Sequence, residues 1–198
     1  MKKLIVSIFL IPAVFSSQQN VSRDAEIANY VSQVSADSLK SHINKLVSFG
    51  TRHTMSSTTD AKKGIGAARN WVLSKFKNYA KNSDGRMEVF IQNQTIQPDG
   101  KRINQPTDLG NAIAILRGTD PNDKRIFMIG GHLDSRVSDV MNAKDFAPGA
   151  NDDGSGVGAV IESARILSQS KFPATIVFVA FSGEEQGLLG AKMLAEKA

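Results

Sequence analysis

Two apolar runs that end in histidine and acidic residues, with a glycine-rich turn between them, constrain this chain more than any other feature. The first, Ile126-Phe127-Met128-Ile129, leads into Gly130-Gly131-His132-Leu133-Asp134-Ser135. The turn reads Pro148-Gly149-Ala150-Asn151-Asp152-Asp153-Gly154-Ser155-Gly156. The second run, Thr175 to Phe181, leads into Ser182-Gly183-Glu184-Glu185. A continuous apolar run bounded by turn residues reads as a strand buried on both faces. Residues 155–169, with Val157, Val160, Ile161, Ala164, Ile166 and Leu167 apolar, fit a helix. The stretch therefore predicts a strand, helix, strand crossover, right-handed by the general rule.

Ligands of such open sheets gather beyond the carboxyl ends of the parallel strands. His132, Asp134, Asp152, Glu184 and Glu185 all fall there. Carboxylates crowded on one rim repel and resist desolvation unless a cation compensates them. Imidazole mixed with carboxylate suits zinc, whereas an all-oxygen set suits magnesium or calcium.

The remaining sequence narrows the class. With 198 residues and 41% hydrophobic content the chain can bury a core of ordinary domain size. Lys2 and Lys3, the apolar stretch Leu4 to Phe15 and the small pair Ser16-Ser17 form the pattern of a secretory leader, too short for a membrane span. The expectation is a leader over residues 1–17 and a single domain over 18–198, exported to a periplasm or the extracellular medium. No membrane attachment follows after cleavage. The absence of cysteine excludes thiolate ligands and a cysteine nucleophile. Without Lys2 and Lys3 the formal charge falls from +5 to +3, and the other basic residues are scattered without aromatic interleaving, which argues against nucleic acid. Nothing in the sequence assigns an oligomeric state.

Residues 24–34 and 37–49 read as helices, the second capped by Asp37 or Ser38 and stopped by Gly50. His42 is expected on the surface of that helix, and His53 in a Ser- and Thr-rich loop where it hydrogen-bonds locally. Asp60 is placed as the cap of a helix reaching Lys81, with Trp71 committed to packing. Met87 to Thr95 alternates polar and apolar, the mark of a strand with one wet face near the sheet edge. Pro98 to Asp108 reads as a polar connection, Asn111 to Leu116 as a buried strand, and Gly187 to Ala198 as helix. That last segment has no stop signal, so the sequence reads as cut inside a helix.

Gly131-His132-Leu133-Asp134-Ser135, Gly149 to Gly156 and Phe181-Ser182-Gly183-Glu184-Glu185-Gln186-Gly187-Leu188-Leu189-Gly190 resemble three successive motifs of the two-zinc aminopeptidase family. Relatives of that family include glutamate carboxypeptidases, the transferrin receptor and glutaminyl cyclases. The likeness is dense from about residue 110 to 198. It is looser in Gly50-Thr51-Arg52-His53-Thr54 and Gly64 to Arg69. Taken alone, Asp152-Asp153 would be read as a helix cap and Glu184-Glu185 as helix-terminal charges; the ordered company of three motifs favours the site.

The resemblance implies an α/β fold, a three-layer sandwich with a mixed, mostly parallel central sheet of the zinc-exopeptidase kind. It implies a hydrolase, a metallo-aminopeptidase that uses two zinc ions to cut N-terminal peptide bonds. His132 is then a ligand of one zinc, Asp152 the bridge and Glu185 a ligand of the second. Glu184 is the general base, and Asp134 accepts the other ring proton of His132 and fixes its tautomer. A cis peptide between Asp152 and Asp153 is also implied. The family completes each zinc with a further aspartate and histidine downstream, and no His or Asp follows Glu185 here. The expectation is thus a truncated, N-terminal portion that is inactive alone. A glutaminyl cyclase-like zinc transferase, a non-catalytic binding domain of the same fold and a calcium-binding α/β protein are the alternatives.

Overall fold

A computed structural model describes residues 24–197; the leader expected over residues 1–17 lies outside the described residues. Helix α1 (Ala25–Ser32) starts at Asp24, whose carboxylate accepts from the backbone N–H groups of Glu26 and Ile27. Helix α2 (Ala36–Val47) is capped by Ser35 rather than by Asp37 or Ser38, the Ser35 hydroxyl oxygen taking the N–H of Ser38 at 3.1 Å. Helix α3 (Gly64–Ala80) begins later than expected, because Asp60 spends its carboxylate on the N–H groups of Lys62 and Lys63 in a turn ahead of the helix. The strands are β1 (Met87–Ile96), β2 (Thr107–Leu116), β3 (Ile126–His132) and β4 (Thr175–Phe181). Helix α4 (Gly156–Leu167) joins β3 to β4, and α5 (Leu189–Ala195) follows β4.

The four strands form one sheet in the order β1-β2-β4-β3. Pairing is antiparallel for β1 with β2 and β2 with β4, and parallel for β3 with β4. This is the mixed α/β sheet the motifs imply, with parallel pairing among the described strands confined to the crossover. The β1 strand sits at the edge, where its alternation placed it.

One face of the sheet carries the main core. Leu46 of α2, Ile65, Val72 and Phe76 of α3, and Val160 and Ile161 of α4 pack on Leu116, Ile176 and Phe178. The other face holds a smaller cluster, Ile113, Val177 and Val179, covered by Phe90, Phe181 and Leu194 of α5.

Two expectations are corrected. The β3 strand is not buried on both faces: Ile126, Phe127 and Met128 are 65%, 54% and 52% exposed. Among the described strands it pairs only with β4 and forms the sheet edge, and Met128, level with Val177, lies on the thinly covered face. His42 is not on the surface. Helix α4 lies across α2 and buries it beside Ser38 and edge-on to Trp71, and burial pushes its pKa down.

Candidate functional site

Parallel register places the ends of β3 and β4 side by side, with His132 opposite Phe181, and the N–H of Leu133 donates to the Phe181 carbonyl. The histidine of the first motif and the glutamates of the third therefore leave the sheet at one rim. Gly131 lets the start of α4 come close: a Cβ there would lie 2.9 Å from the backbone of Gly156 and Val157. Gly149, at φ +44°, turns the chain tightly under Ser135. Between them Ala150–Ser155 forms an irregular turn with non-helical backbone at Asp152 and Asp153 and a cis peptide joining the two.

Adjacent aspartates divide the work. The Asp153 carboxylate accepts from the N–H of His132 at 3.0 Å and from the N–H of Gly156 at 2.8 Å, which caps α4 and ties it to β3. Asp152 caps nothing. Its side chain is 79% exposed and puts Oδ1 2.9 Å from Nε2 of His132.

His132 Nδ1 lies 3.1 Å from the main-chain carbonyl of Asp134 and 3.9 Å from its carboxylate. The carbonyl, rather than the carboxylate, is thus the acceptor that fixes the tautomer. A neutral ring that donates from Nδ1 bears a lone pair on Nε2. That lone pair faces Asp152 Oδ1, and two acceptors 2.9 Å apart need a proton or a metal cation between them. Glu184 Oε2 is 3.9 Å from the same nitrogen. Burial pulls the His132 pKa down, but Asp134, Glu184 and Asp153 outweigh it and the net direction is upward. The pairing of an imidazole lone pair with a carboxylate fits a zinc ion, whose ligands of these types sit at ~2.0–2.2 Å.

Asp134 is fully buried, and its carboxylate accepts three donors: the N–H of Glu184 at 3.1 Å, the N–H of Glu185 at 3.0 Å and the Thr54 hydroxyl at 3.1 Å. Burial pushes its pKa up; the His132 charge and the Glu185 and Glu184 amides pull the other way. Below it, the buried Arg52 guanidinium donates to the carbonyls of Leu133, Leu46, Pro148 and Gly149. Burial lowers its pKa to about 10, against the pull of Asp134 and Asp153, so it stays charged at neutral pH.

The rim brings His132, Asp152 and Glu184 together. Glu185 points elsewhere: its carboxylate meets Arg136 Nε at 2.6 Å, and its carbonyl accepts from Arg102 at 2.8 Å. Among the described residues no group of three or more His, Asp or Glu converges on a single metal position. His53, expected in a loop, is in the loop but wholly buried, with Nε2 3.0 Å from the Val140 carbonyl. Beside the rim a cleft of about 470 Å³ is lined by Met128, Gly131, His132, Phe181, Glu184 and Leu188.

Sequence reasoning assigned no role to Arg52, Thr54, Arg136 or Gln186, and to Asp153 only the helix-cap reading, which the structure gives it. Only Asp153 carried a usable signal, its three-residue spacing to Gly156 at the helix start.

Residues 111–198, which contain all three motifs, match the model of peptidase family M28. That segment is peptidase M28 sequence, as its three motifs imply. The chain is 46% identical to a protein named probable zinc metalloprotease from Pyrenophora teres f. teres, over 94% of the chain and 40% of the relative. It is 44% identical to a protein of the same name from Pyricularia oryzae, over 87% of the chain and 34% of the relative. The chain thus spans 40% or less of the length of these relatives. Among solved structures it is similar to the LapA aminopeptidase of Legionella pneumophila, with a TM-score of 0.66 and 23% identity over 100% of this chain and 47% of that one. It is also similar to a glutaminyl cyclase from Fimbriiglobus ruber, with a TM-score of 0.61 and 19% identity over 81% of this chain and 54% of that one. At these identities the structural likeness bears on the fold, which is the mixed α/β sheet described above.

Proposed function

We propose that this chain is part of an exported zinc-dependent aminopeptidase that hydrolyses N-terminal peptide bonds and, when complete, holds two zinc ions. The observation that carries this reading is the facing pair of acceptors, His132 Nε2 and Asp152 Oδ1, 2.9 Å apart at the carboxyl end of the parallel strands. The export part rests on the leader pattern of residues 1–17 alone.

In this reading His132 and Asp152 would hold one ion, and Asp152 with Glu185 would hold the second. Zinc held there would supply a Lewis acid that lowers the pKa of water and polarises a carbonyl. The Asp134 carbonyl keeps the proton on Nδ1 of His132, so that Nε2 stays a ligand. Glu184, part-exposed and 3.9 Å from His132 Nε2, takes a proton from the attacking water. As the new C–O bond forms and the C–N bond breaks, that proton passes from Glu184 to the leaving amine. For Glu185 to serve as a ligand it must leave Arg136.

Two protein ligands per ion fall short of the three usual for catalytic zinc. The 198-residue chain is therefore expected to bind zinc weakly and to leave an aminoacyl nitroanilide uncut. Zinc affinity, measured by competition with a chromogenic chelator, tests the site directly. His132→Ala and Asp152→Asn should each abolish binding, and unchanged affinity in both variants rejects the reading. A protein carrying this segment together with the remaining length of its relatives should hydrolyse the nitroanilide, and a chelator should stop it. A glutaminyl cyclase-like transferase is separated by metal stoichiometry, one zinc rather than two.

A further inference from the structure

We propose that Thr54 is a positioning residue for the paired glutamates, acting through Asp134, with Gln186 completing the contact. The consequence for catalysis rests on reading Glu184 as base and Glu185 as ligand; the positioning itself is a matter of geometry.

Thr54 is 2% exposed and lies outside the segment matched by the family model. Its hydroxyl reaches Asp134 Oδ2 at 3.1 Å and touches the side-chain amide of Gln186. A hydroxyl has one hydrogen. It is shared between two acceptors, Asp134 Oδ2 and Gln186 Oε1, and the Gln186 amide is held in that sense because its Nε2 donates to the Val140 carbonyl. Gln186 Nε2 lies 3.2 Å from His53 Nε2 and donates to the Val140 carbonyl at 3.3 Å. The His53 ring is oriented by the N–H of Met55, which donates to its Nδ1 at 3.1 Å.

Asp134 turns this contact into direction. Its two oxygens separately hold the N–H groups of Glu184 and Glu185, which fixes two consecutive peptide planes and hence the divergence of the two glutamate side chains. The carboxylate is 0% exposed, so no solvent replaces a donor that is lost. Without the Thr54 hydroxyl, Oδ2 keeps only the Glu185 amide and the carboxyl group is free to turn about its Cβ–Cγ bond.

The test uses the whole 198-residue chain and two readouts, amide hydrogen exchange at Glu184 and Glu185 and zinc affinity by chelator competition. Thr54→Val, nearly the same shape without the hydroxyl, should speed exchange at both amides about 10-fold or more while leaving β4 amides unchanged. It should also weaken zinc binding by about 10-fold. Thr54→Ser should restore both. Unchanged exchange at the two glutamates, or acceleration spread evenly through β4, overturns the proposal. If Thr54→Val does not fold, Gln186→Met is read at the same two amides: faster exchange supports the proposal and unchanged exchange overturns it. Should the unsubstituted chain bind no zinc, the proposed function fails, while the exchange comparison still decides the role of Thr54.

Discussion

Strand β4 serves two unlike neighbourhoods. Ile176, Phe178 and Ala180 face three helices, whereas Val177 and Val179, one residue along, face little more than Phe90, Phe181 and Leu194. All five are buried, with relative exposures between 0% and 8%. Burial alone therefore does not describe their surroundings. On the helix-covered face a lost side chain leaves a cavity whose walls are held from every side. On the thin face the cover is one seven-residue helix, and it can settle into the gap.

The sharpest way to break this comparison is to make the same truncation on both sides. Ile161 and Ile113 are 0% and 1% exposed. Ile161→Ala, on the covered face, is expected to cost about 4 kcal/mol in urea denaturation, near the top of the range for such changes. Ile113→Ala, on the thin face, should cost about 2 kcal/mol, the bottom of that range. Equal losses would show that the two faces are equally rigid.

Acid should weaken the covered face first. Glu162 of α4 accepts from the Ser35 N–H and the Ser38 hydroxyl and pairs with Arg165 at 2.7 Å, which stitches α2 to α4. The Arg165 hydrogen bond, opposed by burial and aided by Ser35 and Ser38, lowers its pKa from 4.5 to about 2. A carboxylate with a lowered folded-state pKa stabilises fully above its unfolded value and loses that contribution as pH falls through the folded one. Stability should thus drop by up to about 3 kcal/mol between roughly pH 4.5 and pH 2, and Glu162→Gln should remove this part of the pH dependence.

Zinc should act where the two faces meet, at the rim. At about 100 times its Kd it should raise unfolding stability by about 2.7 kcal/mol, and His132→Ala should abolish the increase. The smallest effect belongs to the exposed start of β3. Met128→Thr, at a residue 52% exposed, should change stability in urea denaturation by less than about 0.5 kcal/mol.

Much of this architecture could be read in the chain itself. The helix between β3 and β4, the edge position of β1 and the rim holding His132, Asp152 and Glu184 follow from apolar runs and the turns that end them. The failures share a cause. His42 is buried by a helix more than a hundred residues downstream, and Thr54 meets Asp134 and Gln186 across 80 and 132 residues. Glu185 faces Arg136 because the loop after β3 returns to the rim, a path that no local pattern records.

The sequence by itself determined which segments are strands and helices and which acids and histidine end at the carboxyl side of the crossover, because side-chain period and turn chemistry are local properties. Tertiary structure alone decided how thickly each sheet face is covered, which of two neighbouring aspartates caps α4 and which faces His132, and which group receives the proton of Nδ1. Those outcomes depend on elements far apart in the chain being stacked within hydrogen-bonding reach. Distance in space, rather than the order of residues, sets them.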